Sequence, residues 1–224
     1  MASTANRVIK NTSYLYIKMG ITMFISLYIT RLILNSLGAS DFGIFNIVGG
    51  AISMLAFLNG SMAAATQRFM SYAEGENNES KKIVIFNSSI VLHLIIALFV
   101  GVLLEIGAFF LFDGVLNIPE NRISSAKIIY HCAVLSTIFT ILTVPYDAVI
   151  NAHENMLYYA AVGVFESFLK LATAFIVVYT LSDKLIVYGI FTAITALIIQ
   201  LVMRIYCIRH YPECRLSLRN TVGF

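Results

Sequence analysis

The stretch IVIFNSSIVLHLIIALFVGVLLEIGAFFLF, residues 83–112, decides the fold: it runs thirty residues with Glu105 as its single formal charge. A helix rises about 1.5 Å per residue and the hydrocarbon core of a bilayer is about 30 Å thick, so this segment is long enough to span a membrane with turns to spare. Asn87, Ser88, Ser89 and His93 interrupt the apolar run without ending it. A soluble core helix has no need of such length.

Working outward, similar stretches recur on both sides. Candidate helices cover residues 13–37, 44–66, 83–112, 124–150, 157–181 and 185–206. The breaks carry polar or turn-forming residues, among them Gly38 to Asp41, Glu74 to Lys82, and Asn151 to Asn155. These connections are short, so the 224 residues are expected to form one membrane domain. The expected fold class is all-α, a polytopic membrane protein built as a six-transmembrane-helix bundle.

Composition agrees. Hydrophobic residues make up 59% of the chain and charged residues 12%, against roughly 25% charged in soluble domains. The basic residues are spread rather than clustered, which excludes nucleic acid as a partner. No cleavable leader is visible, because Arg7, Lys10 and Lys18 lead into a hydrophobic stretch too long for one. Cys132, Cys207 and Cys214 make no disulfide framework, and Cys207, His210 and Cys214 lack a fourth metal ligand, so that spacing reads as chance. No phosphate-gripping glycine loop and no serine-histidine-aspartate set is present. No enzyme activity, no catalytic residue, no metal and no cofactor is expected.

Lysine and arginine are retained on the cytoplasmic side of membrane proteins. With the N-terminus inside, the inner loops and helix ends hold Arg7, Lys10, Lys18, Arg68, Lys81, Lys82, Arg204, Arg209, Arg215 and Arg219. The outer side holds Arg31, Arg122, Lys127 and Lys184, and Lys170 is mid-helix. Both termini are therefore expected in the cytoplasm.

Function in such a chain is sought in polar side chains that lipid would not tolerate. At 100° per residue the second helix gathers Asn46, Gly49, Gly50, Ser53, Gly60, Ser61, Ala64, Gln67 and Arg68 on one face. That stripe is either a tight helix–helix seam or a cavity wall. On the first helix Thr22, Ser26 and Thr30 form a hydroxyl ladder, while Phe24, Tyr28, Arg31 and Asn35 share another side. Arg31 either snorkels to headgroups or binds an anion, and Lys18 reads as an interface anchor. Glu166 and Lys170 are an i, i+4 pair on the stripe of Ala160, Gly163, Ser167 and Ala174, either a structural ion pair or an ion-coupling carboxylate with its partner. His93, Ala97, Gly101 and Glu105 trace a line on the third helix. A lone histidine in a bundle is expected to pack and hydrogen-bond rather than to relay protons. Ser136, Thr140, Thr143 and Asp147 share a face of the fourth helix, where Pro145 predicts a kink.

TRLILNSLGASDFGIFNIVGG, residues 30–50, resembles the first helical hairpin of Wzx-type polysaccharide flippases, through its arginine, Leu37-Gly38 and the Asp41-Phe42-Gly43 run. FLNGSMAAATQRF at 57–69 is similar to the end of that family's second helix, and NIPENR at 117–122 and VPYD at 144–147 also look familiar. Each motif alone is weak; their order and spacing together are more specific. The resemblance implies the N-terminal half of an oligosaccharide flippase, within the multidrug/oligosaccharidyl-lipid/polysaccharide exporter superfamily, and so a bundle like the N-lobe of a MATE-like transporter. It implies undecaprenyl-diphosphate-linked oligosaccharide as substrate, a bacterial inner membrane location, and alternating access with ion coupling. It implies a second six-helix lobe as partner, with polysaccharide polymerase machinery as a further one, for lipopolysaccharide, O-antigen or other surface polysaccharide assembly. By position it makes Arg31 and Arg68, with their neighbours Asn35 and Gln67, the substrate-binding residues. The departure is length, since the chain stops at Phe224, just after the sixth helix. Two other readings stay open: a multidrug or cation antiporter lobe of the same fold, with Glu166 as its carboxylate, and a truncated, non-transporting membrane scaffold.

Overall fold

The computed structural model describes residues 2–53, 56–112 and 118–215. It is all-helical among the described residues. Helix α1 spans Ala2–Ser53, α2 Ala56–Gly75, α3 Glu79–Phe110, α4 Ile123–Ala152, α5 Met156–Tyr179 and α6 Lys184–His210, with short 3-10 turns at Glu120–Arg122 and Pro212–Cys214. Residues 5–50, within α1, and the helices α3 to α6 are long and apolar enough to cross a membrane.

Two of the expected helices are partitioned differently from their sequence bounds. Residues 13–37 belong to α1, and the expected helix 44–66 begins within α1 and ends in α2. What divides α1 is Gly38, at φ 77° and ψ 171°, backbone that a residue with a Cβ adopts only with strain. The contacts on either side of Gly38 show that the chain reverses there. Arg7 meets Glu154 and Ser36 donates to the Val177 carbonyl, so residues 2–37 climb alongside α5. Asp41 then meets Arg122, which also holds Asp183. At the far end of α2, Glu74 meets Lys82 and His153, so the second arm descends alongside α4. α4 continues through Pro145.

Polar residues start the helices where the chain turns. Asn78 accepts from the Lys81 amide, Asn155 from the Tyr158 amide, and Asp183 from the Leu185 and Ile186 amides; each satisfies a donor that the first helical turn leaves open. Two apolar clusters fill the bundle. One joins Ile44 and Val48 to Leu104, Ile129 and Tyr130, and the other joins Met70 to Phe86, Tyr146, Val149 and Met203. Leu98, Phe99, Val102, Ile106 and Phe109 of α3 stay exposed, as side chains in contact with lipid do.

Small residues close the bundle, though not where the sequence pattern put them. A Cβ on Gly189 of α6 would lie 2.9 Å from Ile129 Cγ1 and 3.3 Å from its Cα, which marks a close approach of α4 and α6. Around Gly49 a Cβ would meet nothing within 4 Å. Asn46, Ala64, Gln67 and Arg68 of the same stripe are exposed. Within this chain the described part of the stripe is an open face rather than a seam; the side chain of Ser53 and the surroundings of Gly60 lie outside what is described.

Candidate functional site

A cavity of about 350 Å³, with charged and hydroxyl groups in its lining, lies among α1, α4, α5 and α6 and is touched by Ala63 of α2. Its α4 wall is the face already visible in the sequence: Ser136, Thr140, Thr143 and Asp147. α5 supplies Tyr159, Gly163, Glu166 and Lys170, α6 supplies Thr192 and Thr195, and α1 supplies Lys18.

The hydroxyls share one habit. Ser136, Thr140, Thr143, Thr192 and Thr195 each donate to the carbonyl four residues back, at 2.8 to 2.9 Å. Their protons are spent on their own helices, so toward the cavity they present acceptor lone pairs. The charged groups number two of each sign. Lys170 Nζ lies 2.6 Å from Glu166 Oε1, one turn apart on α5, with both side chains well exposed. Lys18 Nζ sits 3.9 Å over the Tyr159 ring, a cation–π placement. Its stem passes over Gly163, where a Cβ would come within 2.2 Å of Lys18 Cε. The cavity can therefore receive a polar or charged group of either sign, held between acceptors and ammonium groups inside an apolar bundle.

Of the residues singled out in the sequence, Glu166 and Lys170 line this cavity. Arg31, Asn35, Gln67 and Arg68 are exposed and do not line it. Nor are those four brought together: Arg31 and Asn35 lie toward the Gly38 end of α1, Gln67 and Arg68 toward the Gly75 end of α2. Lys18 is no plain interface anchor, because it is half-buried in the cavity. The absent side chain at Gly163 was its only signal in the sequence. Asp147 stood on a recognised face and was the one carboxylate of that face. His93 is fully buried; its Nδ1 lies 2.8 Å from the Ser89 carbonyl, while Nε2 has no partner among the described residues.

Two ion-pair networks close the ends of the bundle. At one end Arg122 donates from Nε to Asp41 at 2.8 Å and from Nη1 to Asp183 at 2.8 Å, and Ser125 donates to Asp183 at 2.7 Å. Burial alone would raise the Asp183 pKa; the bonds from Arg122 and Ser125 outweigh it and hold the carboxyl below its ordinary value. At the other end Lys82 lies 2.8 Å from Glu74 and 2.6 Å from Glu79, while His153 reaches Glu74 through Nδ1 at 3.3 Å and Glu213 through Nε2 at 2.5 Å. Burial pushes Glu213 up, and the His153 bond more than reverses that, leaving its pKa lowered.

Glu74, His153 and Glu213 place their ligand atoms within 4.8 Å of one another, which is a spacing a cation could use. Both imidazole nitrogens, however, already bridge the two carboxylates and Lys82 neutralises Glu74. The imidazole and the Lys82 ammonium thus already occupy the carboxylate oxygens that a cation would need. Cys207 and Cys214 are buried, whereas His210 is exposed with its Nδ1 on the Tyr206 carbonyl. Those three residues do not converge.

No protein-family model and no curated protein matches the sequence. Solved structures match the fold. An outward-facing multidrug resistance MATE family transporter of the MOP superfamily superposes with a TM-score of 0.79 at 13% identity, over 97% of this chain and 48% of that one. A MATE in complex with MaD3S gives 0.70 at 14% identity, over 97% and 49%. A MOP superfamily transporter from Pyrococcus furiosus Vc1, described as having a binding pocket of reverse polarity, gives 0.62 at 15% identity, over 96% and 48%. The chain thus has the fold of one half of such transporters and spans about half their length.

Proposed function

We propose that this chain is one lobe of a membrane transporter that alternates against a second six-helix lobe, and that its cargo is a lipid-linked oligosaccharide. The observation carrying the transport reading is the polar cavity, with two cations, two carboxylates and a wall of hydroxyl acceptors inside a helical bundle of MATE-like fold. The cargo reading draws on the flippase-like hairpin of residues 30–50. Diphosphate suits Arg31 and Arg68, whose guanidinium forks bind phosphate bidentately. Asn35 and Gln67 would bond sugar hydroxyls. All four are exposed on this lobe and so are open to a facing one. Glu166 and Lys170 would couple transport to an ion or hold the cavity's shape. In this reading the chain sits in a bacterial inner membrane with both termini inside, and works beside polysaccharide polymerase machinery.

Asp147 and Glu166 in the cavity, with the multidrug transporter among the structural neighbours, favour a second reading, export of amphipathic cations. One experiment separates the two. In cells where the chain is paired with a second lobe, Arg31→Ala and Asp147→Asn are compared at equal membrane abundance. The flippase reading expects Arg31→Ala to reduce surface polysaccharide at unchanged cation efflux. Loss of efflux in Asp147→Asn, with normal polysaccharide in both, overturns it in favour of the exporter.

A further inference from the structure

Beside the polar cavity runs an apolar groove of about 400 Å³ between the first arm of α1 and α5, lined by Tyr14, Ile17, Leu157, Val164, Phe165 and Phe168. From Leu157 to Phe168 it follows α5 for about 16 Å at a helical rise of 1.5 Å per residue. Ile17, Leu157, Phe165 and Phe168 are exposed, so the groove opens on the surface of the bundle.

Lys18 lines both the groove and the cavity. Gly163 lets it do so, since a Cβ there would lie 2.2 Å from Lys18 Cε and 2.9 Å from Nζ. The lysine crosses α5 where α5 has no side chain. Glu166 already holds Lys170, whereas Lys18 Nζ rests on the Tyr159 ring and donates no hydrogen bond to any described residue. An ammonium with three donors unspent thus stands at the junction of an apolar trough and a pocket lined by charged and hydroxyl groups.

We infer that the α1–α5 groove holds the hydrocarbon chain of a membrane lipid with an anionic headgroup, and that Lys18 receives that headgroup where groove and cavity meet. The occupant follows from the chemistry of the two ends: an apolar trough open to the bilayer accepts a chain, and a desolvated cation at its inner wall selects a negative head. Asp147 and Glu166 face Lys18 from the cavity and repel an anion, so the headgroup stays on the groove side. The inference deepens the lipid-linked reading above and rests on it for the identity of the natural lipid.

The chain contains no tryptophan, so Phe165→Trp supplies a single emitter in the groove. The 224-residue protein is reconstituted in phosphatidylcholine vesicles carrying either bromine-labelled phosphatidic acid or bromine-labelled phosphatidylcholine. The phosphatidic acid is expected to quench several-fold more strongly at equal mole fraction. Lys18→Gln should weaken that preference about tenfold, the loss of one charge-assisted contact, and Lys18→Arg should keep it. Phe99→Trp, on the exposed face of α3, should show no preference. Equal quenching by both lipids, a preference that survives Lys18→Gln, or the same preference at Phe99 each overturns the inference. If Phe165→Trp lacks native helical content, Phe168→Trp reports on the same groove. Selective quenching in a protein whose two-lobe form moves no lipid-linked sugar keeps the groove and removes the flippase. Transport without selectivity at residue 165 does the reverse.

Discussion

Arg122 and Lys18 are both partly buried cations set among carboxylates, and the chain uses them differently. Arg122 spends its guanidinium on Asp41 and Asp183, tying the start of the descending arm of α1 to the N-termini of α4 and α6. Lys18 rests on an aromatic ring and bonds to no described carboxylate. The first arrangement is saturated and holds helix ends in register; the second keeps its donors for something outside the chain. In a membrane bundle, a charge whose partners are complete reports on architecture, and a charge whose partners are incomplete reports on a ligand.

The sharpest way to break this contrast is to remove Arg122. Arg122→Ala leaves Asp41 and Asp183 facing each other without a cation and should cost about 2–4 kcal/mol, the lower range for a pair only partly withdrawn from water. Unfolding in mixed detergent micelles measures it. Arg122→Lys should recover only part, because an ammonium cannot grip two carboxylates in parallel. A cost below about 1 kcal/mol would reduce the network to a surface pair.

Acid should act next, at the bundle ends. The Asp183 and Glu213 carboxyls titrate below their ordinary values of 3.8 and 4.5 in the folded protein. The folded state therefore binds fewer protons there than the unfolded chain. Their stabilisation is complete above the ordinary values and is lost as pH falls through the lowered ones. The contribution of these two carboxyls to thermal stability should thus be level above pH about 5 and fall below about 4. Asp183→Asn should flatten part of that acid limb; an unchanged limb would show that the Arg122 end carries none of it.

Smaller effects belong to the cavity. Gly163→Ala places a methyl on the Lys18 stem. Because that stem can swing away, the cost should be about 1 kcal/mol, below the usual range for overpacking against rigid neighbours. The double variant with Lys18→Ala should lose the penalty. An additive double mutant would mean that Lys18 does not cross α5 at this point. The smallest change is expected for Glu166→Gln, about 0.5 kcal/mol, as the Glu166–Lys170 pair is well exposed on the isolated lobe. Adding Lys170→Met should recover it; equal losses in single and double variants would argue that the two residues do not act as a pair.

Much of the architecture was legible. Residues 83–112 could be nothing but a span, and α3 runs from Glu79 to Phe110. Segregation of the basic residues anticipated that Arg7 and Lys82 would sit at one end of the bundle and Arg122 at the other. The site was half legible. Glu166 with Lys170, and the face from Ser136 to Asp147, announce themselves by helical spacing. Lys18 and Arg31 look alike in sequence, each a base in the first arm; Lys18 lines the cavity of this lobe, while Arg31 is exposed.

Hydropathy and turn residues determine how many helices the chain makes, where Gly38 reverses it and which faces are polar, because those properties reside within single segments. Neighbours are another matter. A helix in lipid satisfies its own backbone, so nothing in its sequence names the helix it will pack against. Only the assembled bundle decided that α1 lies along α5 with Lys18 crossing at Gly163, that the stripe of Asn46 and Gly49 is left open, and that separate hydroxyl and charge patterns converge on one cavity.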